Sequence, residues 1–83
     1  MSEIPTLSTL PLRESAYVTE IAADPDAKQR LTDLGLIPGT RVTCTALSPS
    51  GDPRAYLIRG TVIALRNRDA DRILLEHRGE VAP

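Results

Sequence analysis

The sequence has no tryptophan, no phenylalanine and only two tyrosines. A core without large aromatic rings has to be packed from Leu, Ile, Val and Ala, which suits a small sheet closed or nearly closed on itself. A single cysteine, Cys44, excludes an internal disulfide, so a reduced thiol in a cytoplasmic protein is the simpler expectation. The single histidine, His77, shares no ligand spacing with Cys44, so no tetrahedral zinc pattern is present. Charge of neither sign dominates: 10 basic and 11 acidic residues are interspersed, for a net -1. A nucleic-acid binder would show a basic stripe and a membrane-surface protein a polybasic run, and neither is there. No apolar stretch approaches the roughly 20 residues that span a bilayer. The beginning of the chain lacks the basic-then-apolar order of a signal peptide. There is no GxxxxGK[ST] phosphate loop, and Ser48 and Ser50 have no histidine near them in the sequence to act as a base.

What is present is one short stretch with a high density of structural signals. Asp24-Pro25 reads as a helix start, an N-cap side chain followed by proline at the first helical position. Ala27, Leu31 and Leu34 then recur at i, i+4 and i+7, one apolar stripe on a helix over about Pro25–Leu34. Gly35 falls where a helix needs a left-handed residue, with Leu36 and Leu31 placed for the hydrophobic contact of a Schellman ending. Ile37-Pro38-Gly39-Thr40 reads as a type II turn, proline at i+1 and glycine at i+2. The stretch is a rigid corner that fixes where the helix lies on a sheet.

The remainder reads as strands. Eighty-three residues make a single domain, 1–83, which buries only about 60–65% of its unfolded surface. Thr6–Leu10 forms a helical turn and Pro11–Glu14 a chain reversal. Ser15–Ile21 is a first strand, in which Val18 and Ile21 cannot both face inward without a bulge. Thr40–Leu47 alternates, with Val42, Cys44 and Ala46 on one face. Ser48-Pro49-Ser50-Gly51-Asp52-Pro53 is a hairpin loop built on turn residues such as Gly51 and Pro53. Arg54–Arg59 returns, with Tyr56 and Ile58 on one face and Ala55 and Leu57 on the other. Gly60 offers a bend, and Thr61–Arg66 follows with Ile63 and Leu65 inward. Asn67–Asp71 suits a 3₁₀ turn with Ala70 tucked in, and Arg72–Glu76 closes the set. Five strands at 8–12-residue spacing point to a small barrel or sandwich. Met1–Thr6 reads as a loose end and His77–Pro83 as a polar tail.

Leu31-x-x-Leu34-Gly35-Leu36-x-Pro38-Gly39, then Gly51-Asp52-Pro53, then Ile63-Ala64-Leu65-Arg66 with Ala70 before Ile73 resembles the ferrous iron transport protein A (FeoA) family. The resemblance covers about Leu7–Glu76, taken as the core at 7–76. The same domain occurs at the C-terminus of iron-dependent repressors of the diphtheria-toxin-repressor type. The resemblance implies an all-β fold with one short helix, a small SH3-like five-stranded β-barrel. It also implies a cytoplasmic accessory protein of bacterial ferrous iron uptake, without catalysis or cofactor, that acts on the GTP-dependent transporter FeoB. The alternative is a regulatory domain of the repressor kind. A repressor needs an upstream helix-turn-helix, for which a start at Met1 leaves no room. The chain departs from the family at Leu12-Arg13, where a glycine is common.

With catalysis set aside, function falls to a surface. The candidates are Leu34, Leu36 and Ile37 at the corner, and Tyr56, Leu57, Ile58 and Arg59 on the return strand. At the corner, either Leu36 sits in the helix cap and Ile37 over the barrel end, or Ile37, Leu34 and neighbouring apolar groups line a groove between helix and barrel. Leu57 is either free for a partner or covered by the Leu7–Leu10 turn. Gly35, Pro38, Gly39, Gly51 and Pro53 are structural turns. Asp69 and Asp71 read as a solvated cap rather than metal ligands, and Cys44 as a small core residue. Arg41, Arg54, Arg59 and Arg66 are read as outward strand residues, either ordinary solvated arginines or charges that steer association. The partner implied is the cytoplasmic part of FeoB, with no nucleic acid and membrane contact only through the transporter. Loose strand edges leave room for weak self-association.

Overall fold

The computed structural model describes residues 5–76. Most of the loose start and the whole polar tail, His77 included, therefore lie outside the described residues. Pro5 and Thr6 take part in the fold.

The element order is a 3₁₀ turn Leu7–Thr9, β1 Ser15–Ile21, α1 Pro25–Asp33, β2 Arg41–Leu47, β3 Arg54–Ile58, β4 Thr61–Leu65, α2 Asn67–Ala70 and β5 Ile73–Leu75. The five strands form one antiparallel sheet in the order β4-β3-β2-β1-β5. Leu65 of β4 and Ile73 and Leu75 of β5 share one buried cluster. Both edge strands therefore turn side chains into the same core, around which the sheet curls.

Two irregularities produce the curl. β1 pairs with β5 through a register shift between Val18 and Glu20, so Val18 and Ile21, three apart, are both buried. The conflict in their spacing is resolved by a bulge, which also bends the strand. β2 carries a second shift between Cys44 and Ala46. It overturns the expected face for Ala46: past the bulge Ala46 pairs with Ala55 and lies on the exposed side. The order of the strands matches expectation, with smaller corrections. β2 begins at Arg41. β3 ends at Ile58. The Asn67 segment closes α-helical hydrogen bonds, Ala70 N–H to the Arg66 carbonyl and Asp71 N–H to that of Asn67, instead of a 3₁₀ turn.

The core is aliphatic with one ring in it. Tyr56 is the largest fully buried side chain, packed with Leu7, Leu10, Leu36, Ile58 and Ile73. Its hydroxyl donates to the Leu7 carbonyl at 3.1 Å. Arg54, on the same strand face, reaches the carbonyls of Leu7 and Ser8. The 3₁₀ turn is thus clamped onto the inward face of β3. It cannot also cover Leu57, which faces the other way and is exposed. Arg54, expected outward, is corrected to a half-buried clamp residue; it has the same parity as Tyr56 and Ile58. Ahead of the turn, Leu75 N–H donates to the Pro5 carbonyl at 2.8 Å and Thr6 bridges to Leu74, so the outer edge of β5 is occupied.

Candidate docking surface at the helix–hairpin corner

The corner begins with a capped helix. The Asp24 side chain accepts from the Ala27 N–H at 2.8 Å, and Pro25 occupies the first turn. Ala27 and Leu31 are buried, and Leu31 belongs to the core. The helix ends with Gly35 at a φ of +102°, the Gly35 N–H donating to the Thr32 carbonyl and the Leu36 N–H to that of Leu31. These two bonds define a Schellman motif. Gly39 follows at +92°, and the Thr40 N–H closes the turn on the Ile37 carbonyl at 3.0 Å. Thr40 is buried, and its hydroxyl donates to the Gly35 carbonyl. The end of that turn is tied to β1 by two bonds: Gly39 N–H to the Val18 carbonyl, and Val18 N–H to that of Thr40.

Against the corner stands the β3–β4 hairpin. Ile58 pairs with Thr61, which leaves Arg59-Gly60 as a two-residue loop. Both have positive φ, +52° and +83°, the signature of a type I′ turn. Arg59 is therefore a turn residue and not the end of the strand. Its stem lies on the helix ending: a Cβ built on Gly35 would stand 3.2 Å from Arg59 Cδ and 3.5 Å from Ile58 Cγ2.

This packing sorts the candidate residues. Leu36, Tyr56 and Ile58 are corrected to core positions, at most 1% exposed. Leu36 is drawn in by the Schellman contact, and the other two by facing the same way along β3. Leu34, Ile37 and Leu57 are exposed, at 44%, 38% and 39%, and Arg59 is exposed beside them. Leu34 and Ile37 do not line one groove. Ile37, Pro38, Gly39, Thr40, Arg41 and Arg59 form a shallow cleft of about 370 Å³. Leu34 lies in another, of about 290 Å³, between α1 and the β4–α2 junction, with Leu31, Leu65, Arg30, Asp33 and Asp69. Leu57 belongs to the outer sheet face, paired with Thr43 on one side and Val62 on the other.

The Gly51-Asp52-Pro53 turn has a role that lay hidden in the sequence. Asp52 Oδ1 accepts from the Asn67 N–H at 2.9 Å, and Asn67 Nδ2 donates to the Gly51 carbonyl at 3.1 Å. The loop between β2 and β3 thus holds the start of α2. Among the described residues, no three His, Cys, Asp or Glu side chains converge as metal ligands. Cys44 is fully buried and free. Burial pushes the Tyr56 hydroxyl above the ordinary tyrosine range, with the nearby Arg54 guanidinium pulling partly the other way. No helix among the described residues is long and apolar enough to cross a membrane.

No curated protein matches the sequence. Solved structures do. The FeoA protein of Chlorobium tepidum is 30% identical over 95% of this chain and 81% of its own, with a TM-score of 0.81. The FeoA of Stenotrophomonas maltophilia, solved with zinc and described as an SH3 domain protein put forward as a bacterial ferrous iron transport activating factor, is 34% identical. It covers 87% of this chain and 89% of that one, with a TM-score of 0.78. A manganese-dependent transcriptional repressor shares the fold at 18% identity and a TM-score of 0.78, this chain spanning 37% of its length. The sheet is therefore an SH3-like barrel. With the FeoA domain model matching residues 6–77, the chain belongs to the FeoA family, whose name ties it to ferrous iron transport.

Proposed function

We propose that this protein is a cytoplasmic, non-enzymatic accessory factor of bacterial ferrous iron uptake that works by contact with the cytoplasmic part of the GTP-dependent transporter FeoB. Membership of the FeoA family over nearly the whole chain carries the proposal. The activating role put forward for the S. maltophilia relative supports its direction. The contact surface is the corner, where Leu34 and Ile37 stay exposed although the backbone around them is held by a Schellman ending and a closed turn. Two apolar side chains on a rigid frame lose little freedom on binding, which favours their use as anchors. The likeness to repressors is one of fold.

The test is co-precipitation of the full chain with the soluble GTP-binding part of the transporter and with the whole transporter in detergent. Capture is expected with the unmodified chain and is expected to fall sharply with Leu34→Glu plus Ile37→Glu, which leave the core untouched. In cells, loss of the chain is expected to lower ferrous iron uptake. Absence of capture in both formats overturns the proposal.

A further inference from the structure

We propose that Arg41 and Arg59, standing over the Ile37–Pro38 cleft, recognise an acidic protein segment that inserts one apolar side chain. This deepens the proposed accessory role by naming the chemistry of the partner, and in its transporter arm it rests on that role.

The cleft is lined by Ile37, Pro38, Gly39, Thr40, Arg41 and Arg59. Its only charged members are two arginines. Both are exposed, although the chain as a whole is at -1. Tyr17 pairs with Arg41 across β1 and β2 and is itself exposed, so an aromatic residue neighbours the first arginine on the sheet. An apolar notch rimmed by cations matches a segment in which carboxylates flank a hydrophobic residue, because bidentate arginine–carboxylate pairing supplies orientation and the notch supplies burial.

Arg59 provides an independent observation. It sits at a φ of +52° in a type I′ turn, where Asn, Asp or Gly would be at ease and an arginine is strained. The strained turn sets the Arg59 stem against Gly35, so that the side chain is held at the cleft instead of swinging free. Strain of this kind at a binding position is a signature of function. A phosphate-backbone ligand fits less well. Such ligands are held by many cations along a stripe, whereas this site has two cations and an apolar floor.

The test uses the ¹⁵N-labelled full chain and two capped peptides, Glu-Glu-Leu-Leu-Glu-Glu and its lysine counterpart Lys-Lys-Leu-Leu-Lys-Lys. The acidic peptide is expected to shift the amides of Ile37, Gly39, Arg41 and Arg59, with affinity falling as salt rises, and the lysine peptide to leave them unmoved. Arg59→Asn is expected to raise the Kd about tenfold, a change worth 1.4 kcal/mol, while the midpoint of thermal unfolding stays level or rises because asparagine tolerates the left-handed turn. Arg41→Gln is expected to act alike on binding. Equal binding of the lysine peptide, shifts mapping elsewhere, preference for a single-stranded oligonucleotide, or an unchanged Kd in both variants overturns the site. The transporter arm separates the two proposals. Equal capture of the normal and Arg59→Asn chains sinks the site and spares the accessory role. Acidic-peptide binding at the cleft without any transporter capture does the reverse.

Discussion

The Tyr56 hydroxyl and the Leu7 carbonyl, 49 residues apart in sequence, meet at 3.1 Å inside the core. The bond places a polar group of the 3₁₀ turn where water cannot reach it. Tyr56→Phe is expected to cost about 1–2 kcal/mol, because it removes the donor and leaves a buried acceptor served by Arg54 alone. Urea unfolding followed by circular dichroism measures it.

The same hydroxyl gives the fold a dependence on alkaline pH. Burial holds Tyr56 neutral beyond the point where an unfolded tyrosine ionises. Its contribution is therefore complete below about pH 10, the unfolded value, and is lost as pH rises toward the folded one. Stability of the normal chain is expected to fall more steeply above about pH 10 than that of Tyr56→Phe, in urea series at stepped pH. In Tyr17→Phe, where Tyr56 is the only tyrosine left, tyrosinate absorbance at 295 nm is expected to lag behind that of a free tyrosine.

Gly35 and Leu36 test the corner. A side chain at Gly35 would adopt a φ of +102° and press on Arg59 Cδ. Gly35→Ala is expected to cost about 1–2 kcal/mol, and Gly35→Val more, since a β-branched residue resists that conformation. Leu36→Asp buries a carboxylate at a position with no exposed surface and is expected to unfold the domain. Thermal unfolding that matches the normal chain in all three would show that the corner bears no load.

Asp52 acts as a helix cap from another loop. Asp52→Ala removes the acceptor for the Asn67 N–H and is expected to cost about 1 kcal/mol, the usual worth of an N-cap. Faster amide exchange confined to α2 and the β2–β3 loop would locate the loss.

Cys44 reports on global opening. With no exposed surface in the native state, its alkylation by iodoacetamide is expected to run roughly a thousandfold or more below the rate in urea, the ratio set by the equilibrium between native and fully open chains. Rapid labelling of the native chain would mean that β2 opens locally.

The corner was legible because its signals are local: Asp24-Pro25, Gly35 and Pro38-Gly39 each act on neighbours a few residues away. The β1 bulge was legible for a similar reason, since Val18 and Ile21 conflict within a single strand. The clamp formed by Arg54 and the grip of Asp52 on Asn67 were not, because their partners lie 46 and 15 residues away. Ala46 was misplaced by a bulge that strict alternation cannot foresee. At the candidate surface, Tyr56, Leu57 and Ile58 were named together, yet neighbours on a strand face opposite ways, so some of them had to be inside. Parity alone would have removed Tyr56 and Ile58 and drawn Arg54 in with them. That Arg59 belongs to the turn depends on the pairing of Ile58 with Thr61, a property of two strands and not of one.

The hydrogen bond from Leu75 to Pro5 brings the first and last described stretches of chain side by side. Pro5 and the end of β5 thus stand together at one place on the barrel. A short linker could join the two and make a ring, with new termini opened at a surface turn elsewhere.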